Sequence, residues 1–282
     1  MLPFKHGKHR LLDLLAPLPA HAKRRTVLAK FHGVRLHIDV SDLVGWHFAM
    51  LRSFDPEVTE VIAAAASPGG TEVFWDIGAN KGACSYAIAV ALPRARIVAI
   101  EPQAGLRENL VHNLQQLCPE RFEHHQVGIG VVPASAQLTI PDGNAGGATM
   151  YPDRFGAHGE AETIKLVTAE SIADTSRYGW PTLVKIDVEG HEPMVIQSLE
   201  PALRSHRCKV IVFENHAAER DAFGKIRELT ERHGYQLLGI TKSPFSTRLR
   251  VTRDQLAGVT DYVIAAPSLT TQCAAFASMV EA

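Results

Sequence analysis

The sequence predicts an α/β fold, an open and mostly parallel sheet with helices on both faces and ligand-binding groups along one edge. Three observations carry this expectation. Residues 73–82, VFWDIGANKG, run from a short apolar strand into a turn with two glycines four residues apart. Residues 96–100 form a second apolar strand that ends in Glu101, about the ~20 residues beyond a glycine turn at which nucleotide-binding sheets place an acid. Two later apolar runs, 182–186 and 210–213, each break off into a polar cluster. These runs are continuous rather than alternating, as expected of strands covered on both faces.

In chain order, residues 1–70 read as an N-terminal extension. Lys5, Lys8, Arg10, Lys23, Arg24 and Arg25 flank the apolar LLDLLAPL, with only Asp13 opposing them. A basic amphipathic arm of this kind suits peripheral contact with an anionic membrane. The plainer reading is a solvated helix packing its leucines on the main domain, because Pro17 and Pro19 cut it short. A hairpin over 27–40 turns at Gly33, and a helix covers 56–66. The main domain spans 71–267, with 268–282 as a C-terminal tail. Within it, a helix over 83–92 follows the glycine turn, and Leu106, Leu110 and Leu114 set the stripe of a second helix. Strands are expected over 122–130 and 136–140. The glycines and proline of 141–147, PDGNAGG, then require a loop, which can serve as a lid. A helix over 219–233 and strands at 235–240 and 261–265 complete the domain, with 244–258 as a hairpin extension.

The glycine turn selects among ligands. A dinucleotide fingerprint needs glycines spaced GxGxxG, and here Gly78 matches while Asn80 and Ala83 hold the other positions. That weighs against an NAD-dependent oxidoreductase. Asp76 leads the turn, and Gly82 lets the next helix approach closely. An acid here favours a cationic amino or sulfonium group, which points to S-adenosylmethionine. Glu101 has two carboxylate oxygens for a ribose diol, and Pro102 has the fixed φ of a helix start.

Residues 182–192, TLVKIDVEGHE, deliver Asp187, Glu189, His191 and Glu192 to the same sheet edge. This is the candidate reaction centre. A hydroxyl that accepts a methyl group loses its proton during or after attack, and histidine or a carboxylate can take it. The bland alternative pairs Lys185 with Glu189 and leaves Glu192 as a helix cap. Glu214, Asn215 and His216 end the next strand. Asp187, Glu214 and Asn215 would form a hard oxygen set suited to magnesium, but hydrogen-bonded loops produce the same set, so no metal ligands are assigned. No histidine and cysteine spacing suggests zinc.

Together, WDIGANKG, the EPQ of residues 101–103 with Asn109 and Asn113 beyond it, KIDVEGHE and VFEN resemble the FkbM family of S-adenosylmethionine-dependent methyltransferases over roughly residues 70–266. The resemblance implies a Rossmann-like, class I methyltransferase fold with a seven-stranded sheet. It also implies O-methylation of sugars, glycans or secondary metabolites. By that pattern, Asp76, Gly78, Asn80 and Gly82 hold the amino-acid part of the cofactor, and Glu101 and Pro102 its ribose. Residues 127–129 approach adenine, and Asn144, Met150 and Tyr151 border the acceptor. Asp187, Glu189, His191 and Glu214 are the candidate catalytic groups. The chain departs from the family at 168–172, where TAESI replaces the usual leucine and paired aspartates.

Composition narrows the alternatives. With 282 residues, 46% hydrophobic, one large core is expected. A formal charge of -1 offers no field to gather a polyanion, so nucleic acid is not expected as a partner. Cys84, Cys118, Cys208 and Cys273 lack framework spacing and read as free thiols in a reducing, cytoplasmic setting. No apolar run approaches the ~18 residues that span a bilayer. A non-catalytic cofactor-binding protein remains the alternative to an enzyme, because fold resemblance does not establish activity.

Overall fold

The computed structural model describes residues 8–18, 26–53, 55–216 and 220–281. The chain begins with α1 (Lys8–Leu15), the hairpin β1 (Thr26–Phe31) and β2 (Val34–Asp39), then α2 (Leu43–Leu51) and α3 (Pro56–Ala64). Next come β3 (Val73–Ile77), α4 (Ala83–Ala91), β4 (Arg96–Ile100), α5 (Arg107–Leu117) and β5 (Phe122–His125). An insertion follows, made of β6 (Gly128–Ile129), β7 (Ala134–Pro141), α6 (Pro152–Phe155) and β8 (Gly159–Val167). The chain returns through α7 (Ala169–Thr175), β9 (Leu183–Ile186), α8 (Glu192–Ser198), α9 (Glu200–Arg204), β10 (Val210–Glu214) and α10 (Arg220–Arg232). It ends with β11 (Gln236–Lys242), β12 (Thr247–Val251), β13 (Asp261–Ala265), α11 (Leu269–Gln272) and α12 (Ala274–Ala277).

The main sheet has the order β12-β11-β13-β10-β9-β3-β4-β5. Strands β10, β9, β3, β4 and β5 run parallel, whereas β13, β11 and β12 pair antiparallel. Seven strands were expected and eight form. The additional one, β12, comes from the predicted hairpin extension, which folds back on β11 as a sheet edge. The chain leaves β3 outward through β4 and β5, then crosses back to β9 on the other side. The crevice at the carboxyl ends of β3 and β9 is therefore the topological switch point where such sheets bind ligands.

Alternate strand residues feed two cores. Phe74, Ile97, Leu183 and Val212 face one layer, which holds α3, α4 and α5. Trp75, Val98, Val184 and Ile211 face the other, which holds α7 to α10. The N-terminal hairpin and α2 belong to the first core, since Leu36 and Ile38 of the hairpin and Phe48 of α2 join Tyr86 and Leu110 in it. Its two-residue turn puts His32 and Gly33 at positive φ, the mirror-image turn that matches strand twist.

Asn113 of α5 clasps this hairpin. Its Oδ1 accepts the His37 N–H at 2.8 Å, and its Nδ2 donates to the His37 carbonyl at 2.8 Å and to the Tyr86 hydroxyl at 3.0 Å. Helix α1 docks on α2 where the Trp46 indole donates to the Ala16 carbonyl and the His47 ring meets Asp13 at 2.7 Å. Leu14 and Leu15 stay exposed rather than packing on the main domain. Of the basic arm, Lys8 and Arg10 fall in α1, and Lys5, Lys23, Arg24 and Arg25 lie outside the described residues. No described helix is long and apolar enough to cross a membrane.

Removing the Asn113 clasp leaves both backbone groups of His37 unsatisfied. Asn113→Ala is expected to lower unfolding free energy by about 2–3 kcal/mol, read by denaturant titration with an unchanged slope.

Candidate active site

Strand β3 delivers Asp76 and Gly78 to the switch point. Gly78 has φ +73, and a Cβ there would sit 1.8 Å from the Asp187 carbonyl oxygen. Only glycine lets β3 and β9 end so close together. Asp76 is fully buried and does not line the cleft. Its Oδ2 accepts the Ser85 N–H at 2.9 Å and the Ser85 hydroxyl at 2.6 Å, which ties it into the first turn of α4. Gly82 likewise serves packing, because a Cβ there would fall 2.5 Å from Leu110 and 2.6 Å from the Tyr86 ring.

Beneath these strand ends lies Lys185. Its ammonium donates to the Gly78 carbonyl at 2.8 Å and pairs with Asp187 at 3.3 Å and Asp76 at 3.5 Å. Burial opposes its charge, but the two carboxylates outweigh that and raise its pKa. The alternative weighed from sequence paired Lys185 with Glu189, and its ion pairs here are with Asp187 and Asp76. A lysine within the apolar run LVKI was the signal for a buried cation, since lysine is almost never buried unless paired.

Above the strand ends opens a cleft that is partly enclosed and continuous with solvent at its mouth. Its wall is apolar, with Ile100, Val127, Ile129, Leu138, Ile164 and Leu166 contributing. Gly78, Asn80, Glu101 and Pro102 line it, and so do residues 127–129. Glu101 is nearly sealed from solvent. One oxygen accepts the Asn80 N–H at 2.7 Å and the other the Gln103 N–H at 2.9 Å, which leaves one acceptor position on each. Burial raises its pKa against these hydrogen bonds. Asn80 takes positive φ, and its Oδ1 is buried without a partner.

The β6-β8-β7 sheet and the 141–147 loop roof the cleft. Gln103 Nε2 donates to the Ala145 carbonyl at 3.1 Å, and Gly146 lies against Val44 of α2 and Asn80. Met150 lines the cleft and Asn144 does not. Thr149 joins roof to floor, its hydroxyl donating to the Glu189 carbonyl at 2.8 Å and accepting the Tyr151 N–H at 3.0 Å. Strand β8 and the roles of Gln103 and Thr149 were not foreseen. Their side chains act on loop backbone, which no sequence spacing announces.

On the floor, Asp187, Glu189 and His191 reach the cleft, and Glu214 ends the adjacent strand beside them. His191 Nδ1 lies 2.8 Å from the Tyr151 hydroxyl. Burial lowers the His191 pKa, outweighing the Ile129 carbonyl that favours its protonated form. Glu192 holds the turn together by accepting the Val188 and Gly190 N–H groups, and burial with Asp187 nearby pushes its carboxyl up to about 7. Burial, then the charges of Asp187, Asp261 and Glu189, pushes Glu214 up to about 9. Its carboxyl also lies 3.6 Å from His216 Nε2.

Of the oxygen set considered for magnesium, Asp187 pairs with Lys185 at 3.3 Å. Asn215 Oδ1 instead accepts Gln255 Nε2 at 2.5 Å. Glu189, Glu214 and His216 each place one ligand atom within 4.8 Å of the others. This trio differs from the set considered from sequence in two members, Glu189 in place of Asp187 and His216 in place of Asn215.

The sheet order, the glycine turn at its switch point and an acid-floored apolar cleft define a class I methyltransferase architecture. The methyltransferase FkbM domain model matches residues 76–237, and the chain belongs to that family. Hexuronic acid methyltransferase AglP of Haloferax volcanii is 26% identical over 216 residues, covering 74% of this chain and 81% of that one. AMB antimetabolite synthetase AmbE of Pseudomonas aeruginosa is 27% identical over 208 residues, covering 58% of this chain and 10% of that one. Solved structures similar to this chain include precorrin-6y C5,15-methyltransferase from Geobacter metallireducens GS-15. It shows 18% identity and a TM-score of 0.40, covering 74% of this chain and 89% of that one. Pyrococcus horikoshii TYW2 in complex with MeSAdo is also similar, at 17% identity and a TM-score of 0.42, covering 86% of this chain and 70% of that one.

Because folding raises the Glu214 pKa from the usual carboxylate range to about 9, its contribution to stability is full below the unfolded value near 4.5. It is lost as pH rises through 9. Glu214→Gln is expected to raise Tm at pH 8–9, by ~2–4 °C for each kcal/mol recovered, with little change at pH 4.5. Scanning calorimetry at the two pH values checks this. Gly78→Ala is expected to abolish the native strand approach and lower Tm by more than ~6 °C.

Proposed function

We propose that this methyltransferase moves a methyl group from S-adenosylmethionine to a hydroxyl of a sugar, glycan, glycolipid or secondary metabolite. The observation that carries the cofactor reading is Glu101, whose two remaining acceptor positions meet the apolar cleft as a ribose diol requires. The unpartnered Asn80 Oδ1 suits the cofactor's ammonium group, and the apolar wall suits adenine. When bound, S-adenosylmethionine supplies an electrophilic methyl on a sulfonium. The chain's task is then to align the acceptor, exclude water and hold the departing proton, and alignment alone is worth ~7–11 kcal/mol. A sugar acceptor is supported by the AglP relative, whose name specifies a hexuronic acid. The neutral His191 at the floor supports a reaction that releases a proton.

Transfer of isotopically labelled methyl from S-adenosylmethionine into fractionated polar and lipid extracts tests this reading. The native chain is expected to label a carbohydrate-bearing fraction, with the methyl recovered as an ether. Glu101→Gln keeps the side chain's shape, and it is expected to weaken cofactor binding by ~10-fold or more in calorimetry. Cofactor binding unaffected by that change would remove the ribose role of Glu101, and label recovered as an ester or on nitrogen would replace the hydroxyl acceptor.

A further inference from the structure

We propose that the ridge formed by α1 and α2 docks on an anionic lipid bilayer, with its leucines in the interface and the basic N-terminal segment against the headgroups. This goes beyond the methyl-transfer reading and stands apart from it.

The ridge is an apolar surface that the fold leaves uncovered. Helix α2, LVGWHFAML, has no acidic residue, lysine or arginine, and a helix apolar on all sides is ordinarily enclosed. Its Phe48 fills the first core against Tyr86, whereas Leu43 and Met50 remain 46% and 50% exposed. Both belong to the stripe 43, 46, 47 and 50, which runs along one side of the helix by its own spacing. Helix α1 meets that stripe at its middle, where the Trp46 indole donates to the Ala16 carbonyl at 3.0 Å and Asp13 meets the His47 ring at 2.7 Å. Leu43 and Met50 therefore flank the crossing, one turn away on either side. Between the two α1 contacts in sequence stand Leu14 and Leu15, 78% and 73% exposed. Four of the nine large apolar side chains exposed among the described residues thus gather at one place, and clustering of that kind marks an interaction surface.

Charge names the occupant. Residues 1–40 hold eight lysines and arginines against two aspartates, although the whole chain has a formal charge of -1. Those two aspartates are engaged, Asp13 with His47 and Asp39 with the Lys81 ammonium at 3.4 Å. The rest of the chain is net acidic, so an anionic surface draws the first 40 residues toward it and turns the remainder away. Exposed leucines within a basic segment have the two attractions of an interfacial helix, apolar burial and headgroup charge. A second copy of the chain fits less well, because a two-fold contact on this ridge sets one basic segment against the other. Nucleic acid would answer the charge, but its phosphates offer no apolar layer to Leu14 and Leu15.

The ridge also adjoins the cleft. Leu43 precedes Val44, which lies against Gly146 in the roof. Docking therefore sets the roof beside the lipid surface, where a glycolipid carries its sugar. Trp46, half-buried at the crossing, is placed to report on it.

Cosedimentation of the full chain with vesicles tests the docking. Vesicles of phosphatidylcholine and phosphatidylserine in equal parts are expected to bind the chain ~10²-fold more tightly than phosphatidylcholine alone, with most of that difference lost at high salt. The double variant Leu14→Ser, Leu15→Ser is expected to bind the anionic vesicles ~30-fold more weakly, with an unchanged Tm because both side chains already face solvent. Bromine-labelled phosphatidylcholine in the same vesicles is expected to quench Trp46 in the native chain. That quenching should vanish in Trp46→Phe, since Trp75 and Trp180 stack on each other in the opposite layer. No binding to the anionic vesicles, equal binding to both compositions, native binding by the serine variant, or an unquenched Trp46 would each overturn the proposal. A dimer in sedimentation velocity that the serine variant dissolves would assign the ridge to a second copy instead. Tighter binding to single-stranded RNA than to the vesicles, kept by the serine variant, would assign the basic segment to nucleic acid. None of these outcomes bears on methyl transfer, which the labelled-methyl assay reads separately.

Discussion

The site depends on one buried cation. Lys185 lies under the carboxyl ends of β3 and β9, where two strands meet too closely for any side chain at Gly78, and its ammonium bridges the Gly78 carbonyl, Asp76 and Asp187. Two buried or half-buried carboxylates and an inward-turned carbonyl would repel one another in its absence. Losing one partner of such a cluster leaves an uncompensated charge, which costs several kcal/mol. Asp76 in turn orders Ser85 at the start of α4. The glycine turn, α4 and the turn after β9 thus share one electrostatic anchor.

The parallel sheet was legible because its strands are uninterrupted apolar runs that end in charged or glycine-rich turns, and no other element type fits such runs at such spacing. The cleft residues Gly78, Asn80, Glu101 and Pro102 were legible for the same reason, since strand ends are where the polypeptide must turn over the sheet edge. Asp76 shows the limit of this logic. An acid at a strand end reads the same whether it faces a ligand or caps a helix, and here Ser85, nine residues on, claims it. Strand β12 illustrates another limit. TRLRV alternates as an edge strand does, but only the tertiary neighbour β11 turns a hairpin extension into an eighth strand.

The segment ahead of β3 takes part in the site rather than standing apart from it. Lys81, within the glycine turn, donates to the Asp39 carbonyl and pairs with Asp42, so the loop between hairpin and α2 steadies the turn from outside. Asp42 also caps α2 by accepting the Gly45 N–H. Helix α2 then reaches the roof where Val44 meets Gly146. The same short stretch therefore touches the turn below the cleft and the loop above it. Sequence could not announce this, because each contact joins a side chain to a partner dozens of residues away.

The roof has a character of its own. Its three strands close around a separate small cluster, Leu138, Ala148, Ile164 and Leu166, which belongs to neither large core. Its joints to the floor include Thr149, Gln103 and the Tyr151 contact with His191. Leu138, Ile164 and Leu166 also line the cleft, so substitutions in this cluster reshape the cleft wall without touching the two large cores. In evolutionary terms, the shape of the cleft wall and the packing of the main sheet rest on different residues, so one can drift while the other is held.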